Sequence, residues 1–232
     1  MNTLVRISIL AGLFFYSVSA KTQNFYKEKI SRDQILSIGI GPSFAYLDNG
    51  GQYRSFNFEI KPSASLSYIK KLTNSFELRA TSGFQSISSG GNPPSLITDF
   101  WASQGSSFTV NGQVIYVDLM PSLYLFSVDN HMNRPSVNLY GGIGFGVKHL
   151  ITKQSKSFNM EAPIVKSNMT TSYIPVRSGL SWRVGPYSDL AGEGTMILTF
   201  SDNLDGNVGS NRFGDHLFQA QIVFRRYFPP RK

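Results

Sequence analysis

The chain has 232 residues, with 18 Phe, 11 Tyr and 21 Gly and only 16% charged residues, a mix too aromatic and too poor in charge for a disordered protein. Its formal net charge of +8 is spread along the chain without any Lys/Arg block or basic helix, which argues against nucleic acid as a partner. The absence of Cys excludes a disulfide framework, a thiol nucleophile, a Cys-based metal site and a Cys-linked lipid anchor.

Met1 to Arg6 carries one positive charge, the apolar run Ile7 to Val18 follows, and Val18-Ser19-Ala20 offers short side chains at a cleavage position. This order predicts a secretory signal peptide over residues 1–20, cleaved near Ala20, because the apolar run is shorter than the roughly 20 residues a spanning helix needs. Residues 21–33 are polar and read as a periplasmic lead-in to a barrel domain over 34–232.

From Leu36 onward the hydrophobic period is two. Leu36, Ile38, Ile40, Pro42, Phe44 and Tyr46 alternate with Ser37, Gly39, Gly41, Ser43 and Ala45, giving one greasy face and one small or polar face. The pattern recurs over 56–68, 76–85, 115–125, 137–147, 174–184, 190–200 and 218–228. Eight segments of about ten residues predict an all-β, eight-stranded antiparallel up-and-down transmembrane β-barrel, with lipid outside and a confined polar lumen inside. Pro42, Pro62 and Pro121 lie inside these strands, where each removes a ladder donor, so local bulges are expected there.

The connections set an orientation. Asp48–Ser55, Ser88–Ser107, Lys148–Met169 and Ser201–Asp215 form one set, three of them long, and Lys70–Asn74, Ser127–Ser136 and Gly185–Asp189 form a shorter set. Long loops outside and short turns on the periplasmic side are the outer-membrane pattern, so an outer-membrane location is expected. Aromatics gather near both strand ends, as at lipid head-group level: Phe44, Phe84 and Phe218 at one, Tyr68, Trp182 and Phe228 at the other.

Inward positions carry Glu59, Lys61, Glu77, Arg79, Asp118, Arg177, Arg183, Glu193 and Arg225. Unpaired charges in a narrow lumen would cost several kcal/mol each, so these nine are expected to form an ionic network that plugs the barrel. An eight-stranded barrel has room for little beyond its own side chains, which disfavours an open pore. The alternative is a small transport conduit or a lipid-modifying outer-membrane enzyme.

No catalytic set emerges from local spacing. His131 falls in a turn, and His149 and His216 fall at strand ends followed two residues on by Ile151 and Phe218, not by Ser. Asp202-Asn203-Leu204-Asp205-Gly206-Asn207 is oxygen-rich but lacks the closing Glu of an EF-hand loop, and reads as a turn-rich loop. No cofactor and no metal are expected. Phe100, Trp101, Asp202 and Asp205 are the loop residues best suited to an external contact.

Ile174-Pro175-Val176-Arg177-Ser178-Gly179-Leu180 and Thr199-Phe200-Ser201-Asp202-Asn203-Leu204-Asp205-Gly206, with the final aromatic strand, resemble the small outer-membrane barrels of Bacteroidota, of the OmpA/OmpX-like eight-stranded kind. Phe224-Arg225-Arg226-Tyr227-Phe228 resembles the C-terminal signal read by the barrel-assembly machinery, with Pro229 to Lys232 extending past it. The resemblance implies a structural or assembly role, in some relatives within type IX secretion or gliding machinery. The expected partners are outer-membrane lipid including lipopolysaccharide, the barrel-assembly machinery, and periplasmic or secretion-machinery proteins. The opening strand lacks the Gly-Asp segment of the secretion-associated branch.

Overall fold

The computed structural model describes residues 32–47, 59–89, 103, 109–155, 164–201, 203–204 and 215–229. Among these residues the strands are β1 (Gln34–Tyr46), β2 (Lys61–Lys71), β3 (Phe76–Ser89), β4 (Thr109–Tyr124), β5 (Val137–Ile143), β6 (Phe145–Ser155), β7 (Val165–Gly185), β8 (Ser188–Thr199) and β9 (His216–Phe228). Successive strands pair antiparallel except β5 with β6, and β1 also pairs with β9, so the sheet closes on itself. β5 and β6 both lie between β4 and β7 and count as one position in the ring. The architecture is an eight-stranded, up-and-down transmembrane-type β-barrel.

Exposure alternates with the same period as hydrophobicity, but with its usual sign reversed. Ile38, Ile40, Leu119, Leu123 and Ile222 are exposed, whereas Ser37, Ser43, Asp118, Ser122 and Gln221 on the opposite parity are buried. Water would penalise such an exterior, and a bilayer would not. From Ile115 to Leu123 the outer face of β4 is apolar at every outward position. At about 3.4 Å per residue and a strand tilt of about 40° this covers about 20 Å of height. Leu125 and Phe126, exposed beyond the strand, extend it.

The prolines do not produce bulges. The β1–β9 alignment passes from Ile40↔Ile222 to Ser43↔Gln219 without a shift, and Pro42 sits directly opposite Pro62 in the β1–β2 ladder. Pro121 and Pro175 flank the break between β5 and β6. Gly144 donates to the Pro175 carbonyl at 3.0 Å, and the proline has no N–H to return the bond. A missing donor thus opens a rung in one ladder while the neighbouring ladder holds the strand in line. The register shift that does occur lies between Arg183 and Gly185, at the tight β7–β8 turn.

A second difference concerns the segment expected as the long loop Lys148–Met169. Pairing continues from Lys148↔Thr171 out to Gln154↔Val165, so β6 and β7 extend as a ribbon past the apolar band. Side chains there still alternate between buried and exposed, but polar residues occupy both faces, so hydrophobic alternation does not mark the strand.

Glycines make room for aromatic rings on the inner wall. Gly83, Gly179 and Gly146 are the direct cross-strand partners of Tyr116, Tyr140 and Tyr173. A Cβ at Gly83, Gly179 or Gly146 would stand 2.2, 2.5 or 2.6 Å from the facing ring. Each tyrosine therefore lies flat across a glycine, the arrangement by which aromatics cover strand glycines.

The variant Gly179→Ala is expected to lower the urea midpoint of the folded barrel in lipid vesicles, at a cost of about 1–3 kcal/mol, because the Tyr140 ring must move. Gly194→Ala, whose Cβ would meet nothing within 4 Å, should leave the midpoint unchanged or raise it. Equal midpoints for the two variants would refute the role given to the Gly–Tyr pairs.

Candidate functional site

The lumen is where the buried polar chemistry collects, and it is filled in three layers. The middle layer is ionic. Glu77, Arg79, Asp118, Arg177, Glu193 and Arg225 are all buried in it, with Arg79 and Arg225 at 0% exposure. Arg79 Nη1 donates to Glu193 Oε2 at 2.5 Å, and Arg177 Nε lies 3.3 Å from Glu193 Oε1. Arg177 Nη2 donates to Asp118 at 3.3 Å, and Arg225 Nη2 donates to Glu77 Oε2 at 3.1 Å.

Each of these carboxylates also takes a phenol. Tyr124 donates to Glu77 at 2.6 Å, Tyr140 to Glu193 at 2.7 Å and Tyr173 to Asp118 at 2.9 Å. Thr81 and Thr195 accept from Arg177 at 2.9 and 3.0 Å. The Tyr140 ring lies between two guanidinium groups, with Arg79 Cζ 5.1 Å and Arg225 Cζ 4.7 Å from its centroid. Arg79 Nε and Arg225 Nε and Nη1 have no hydrogen-bond partner among the described residues, and both guanidinium groups lie near this π surface, which favours a cation.

The layer at the turn end is built by the connection between β4 and β5. Arg134 reaches back under the barrel and donates to Asp189 Oδ1 through Nε at 3.0 Å and Nη2 at 2.7 Å. It also donates to the carbonyls of Gly185, Pro186 and Ser188. Tyr227 donates to Asp189 Oδ2 at 2.8 Å, and the Arg134 guanidinium lies 4.6 Å over the Tyr227 ring. Below them His131 stacks on Tyr187 at 5.4 Å, with Arg32 4.0 Å over Tyr187. The Arg32 backbone N–H donates to His131 Nδ1 at 3.3 Å, which ties the lead-in to this plate.

The layer at the loop end is apolar. Ala45, Leu47, Ile87, Val114, Leu150, Ile197, Leu204 and Leu217 pack with Tyr116 and Tyr173. The Leu204 N–H donates to the buried Asp215 carboxylate at 2.7 Å, which holds Leu204 in this cluster. Tyr116 donates to Gln219, and Gln219 to Gln85, both at 2.9 Å, and Tyr173 joins this layer to the ionic one through its bond to Asp118. Lys148 is buried here and donates to Thr199.

Of the nine inward charges expected from the sequence, six meet in the middle layer and three do not. Glu59 and Lys61 form a partly exposed pair at 3.2 Å at the loop end of β2. Arg183 is exposed at the turn end, where it donates to the carbonyls of Met132 and Arg134. Both sites lie beyond the part of the strand that faces a closed lumen, so parity alone misplaces them. Sequence reasoning missed Arg134 and Asp189, which it assigned to turns, and Lys148. Phe100, Trp101, Asp202 and Asp205 lie outside the described residues. His149 is exposed on the outer face, with Nδ1 2.8 Å from Thr170 Oγ1, and His216 is half-buried at the loop end of β9.

No protein-family model matches the chain, and none of the curated proteins does. Among solved structures, Neisserial surface protein A aligns over 84% of this chain and 97% of its own, with a TM-score of 0.51 and 10% identity. Ail, the attachment invasion locus protein of Yersinia pestis, solved with the heparin analogue sucrose octasulfate, aligns over 84% and 98% with a TM-score of 0.48 and 13% identity. OprG, an outer membrane protein of Pseudomonas aeruginosa, aligns over 87% and 98% with a TM-score of 0.47 and 8% identity. The first of these likenesses establishes the fold class reached above from the strand pairing: a small transmembrane β-barrel of the outer-membrane kind.

The ionic layer should dominate stability. Glu193→Ala removes the carboxylate that Arg79 and Arg177 share and is expected to cost roughly 3–5 kcal/mol, because the buried layer is left with three guanidinium groups and two carboxylates. Lys61→Ala, which breaks a partly exposed pair, should cost less than about 1 kcal/mol. Urea titration followed by the shift between folded and unfolded bands on unheated gels reads both; similar losses would show that the middle layer is not the cohesive element.

Proposed function

We propose that this chain is a non-enzymatic barrel of the bacterial outer membrane, exported by residues 1–20, that does not conduct and acts through its two ends as a structural or assembly component. The observation that carries this reading is the lumen. The six charges of its middle layer are matched within the barrel, the turn end is closed by Arg134, and the loop end is closed by the apolar cluster around Leu47 and Leu204. An eight-stranded wall leaves no width for a solute beside such a filling. The apolar outer band supports a bilayer as the surroundings, and the longer loops opposite the chain termini support the outer-membrane orientation.

The turn end supports a periplasmic partner. Its plate of Arg32, His131, Tyr187 and Arg226 is held by stacking and by hydrogen bonds to strand ends, so it meets a partner as a preformed surface. The resemblance of residues 174–206 to Bacteroidota barrels points to periplasmic components of secretion or gliding machinery as the class of partner.

Reconstituted in planar bilayers, the purified barrel is expected to give no conductance steps above the lipid baseline. Reproducible steps would overturn the closed-lumen reading. Crosslinked envelopes should yield a periplasmic protein with the barrel; a solitary barrel would overturn the assembly role.

A further inference from the structure

On the outer face of the loop-end ribbon, Asn111, Lys153 and Lys166 stand side by side across β4, β6 and β7, as Cα partners in adjacent ladders. All three are exposed. Like charges directly opposite one another on a sheet face destabilise the pairing. Neither lysine has a carboxylate within salt-bridge distance among the described residues, whereas the six charges of the middle layer are all paired. Beside Lys153 lies a cleft of about 480 Å³, lined also by Gln113, Asn111, Ile151 and Lys61, the last shared with Glu59.

The position along the barrel narrows the choice of ligand. One step further along the outer face from Gln113 and Lys153 are Ile115 and Ile151, both exposed, and beyond them Val117 and Val147. His149 and Thr170, hydrogen-bonded to each other, lie at this transition. On β4 the two carboxamides sit directly above the apolar positions Ile115 and Val117, on β6 Lys153 stands above Ile151, and on β7 Asn168 and Thr170 follow Lys166. A free anion would use only the upper half of this surface; an anion attached to acyl chains uses both halves.

We propose that this face binds a phosphorylated lipid of the surrounding leaflet, with phosphate between Lys153 and Lys166, polar head-group atoms at Asn111 and Gln113, and acyl chains along Ile115 and Val117. The proposal rests on the barrel standing in a membrane with its loop end outward. That reading is checked separately by the heat-dependent gel shift and by bilayer insertion.

The test is native mass spectrometry of the full barrel in non-ionic detergent, titrated with bis-phosphorylated lipid A, with dephosphorylated lipid A, and with inorganic phosphate as competitor. A lysine near an anionic lipid surface contributes about fivefold in affinity, so Lys153→Gln with Lys166→Gln should weaken lipid A binding about twenty-five-fold. Removal of the lipid's phosphates should have a similar effect. Lys166→Glu gives a sharper reading, because it places opposite charges across the β6–β7 ladder. It should raise the urea midpoint while abolishing lipid A binding, a combination that a purely structural role for Lys166 does not produce. Binding unchanged in these folded variants would overturn the proposal. Full displacement of lipid A by an equal concentration of inorganic phosphate would show a free-anion site and overturn the lipid assignment.

Discussion

The constraint on which this barrel depends is that a carboxylate in a narrow lumen must find all its partners within the wall. The chain meets it with a repeated unit of one carboxylate, one arginine and one tyrosine. Glu77 has Arg225 and Tyr124, Asp118 has Arg177 and Tyr173, Glu193 has Arg79 and Tyr140, and Asp189 has Arg134 and Tyr227. The arginine neutralises the charge and the phenol occupies a further lone pair, so desolvation is offset twice at each site. The phenol also brings apolar bulk, which fills space between the ionic groups that water would otherwise enter. Closure of the lumen and stability of the fold thus have a common origin.

The unit constrains the backbone in turn. A tyrosine that reaches across the lumen from Tyr116, Tyr140 or Tyr173 needs a neighbouring strand without side-chain bulk, and glycine supplies it at the directly opposed position. Gly in a strand normally weakens it, since it adds backbone entropy to the unfolded chain and offers nothing to pack. Here the ring from across the ladder packs where the glycine cannot. Gly83, Gly146 and Gly179 and the tyrosines opposite them are therefore two halves of one device.

This accounts for what could be read in advance. The eight ring positions and the inward parity of Glu77, Arg79, Asp118, Arg177, Glu193 and Arg225 were legible because lipid demands an apolar exterior, and the demand repeats at every second residue. Pairings were not legible, because they need register. Arg134 and Asp189 are 55 residues apart, and Gly83 faces Tyr116 only once β3 and β4 are aligned. Where lipid contact ends, so does the hydrophobic alternation, and for that reason the ribbon from Lys148 to Ser155 looked like loop. The prolines misled in a different way. A missing N–H was taken to imply an extra residue, but a closed sheet gives every strand two neighbours, and the second one keeps the register.

The two ends of the barrel are sealed by different physics, and this bears on what each can do. The turn end is sealed by directional bonds from a single arginine to Asp189 and three carbonyls, which fix the connection between β4 and β5 in one place. The loop end is sealed by apolar contact, which is non-directional and tolerates rearrangement of the segments above it. A surface held by directional bonds suits a partner that recognises a fixed shape. The polar outer face of the ribbon belongs to neither end, since it is anchored in the sheet yet stands beyond the apolar band. Inside the barrel this chain gives the cations of its ionic layer a carboxylate, but on that outer face it sets Lys153 opposite Lys166 with none among the described residues. At that position the phosphate of the proposed lipid supplies the counter-charge.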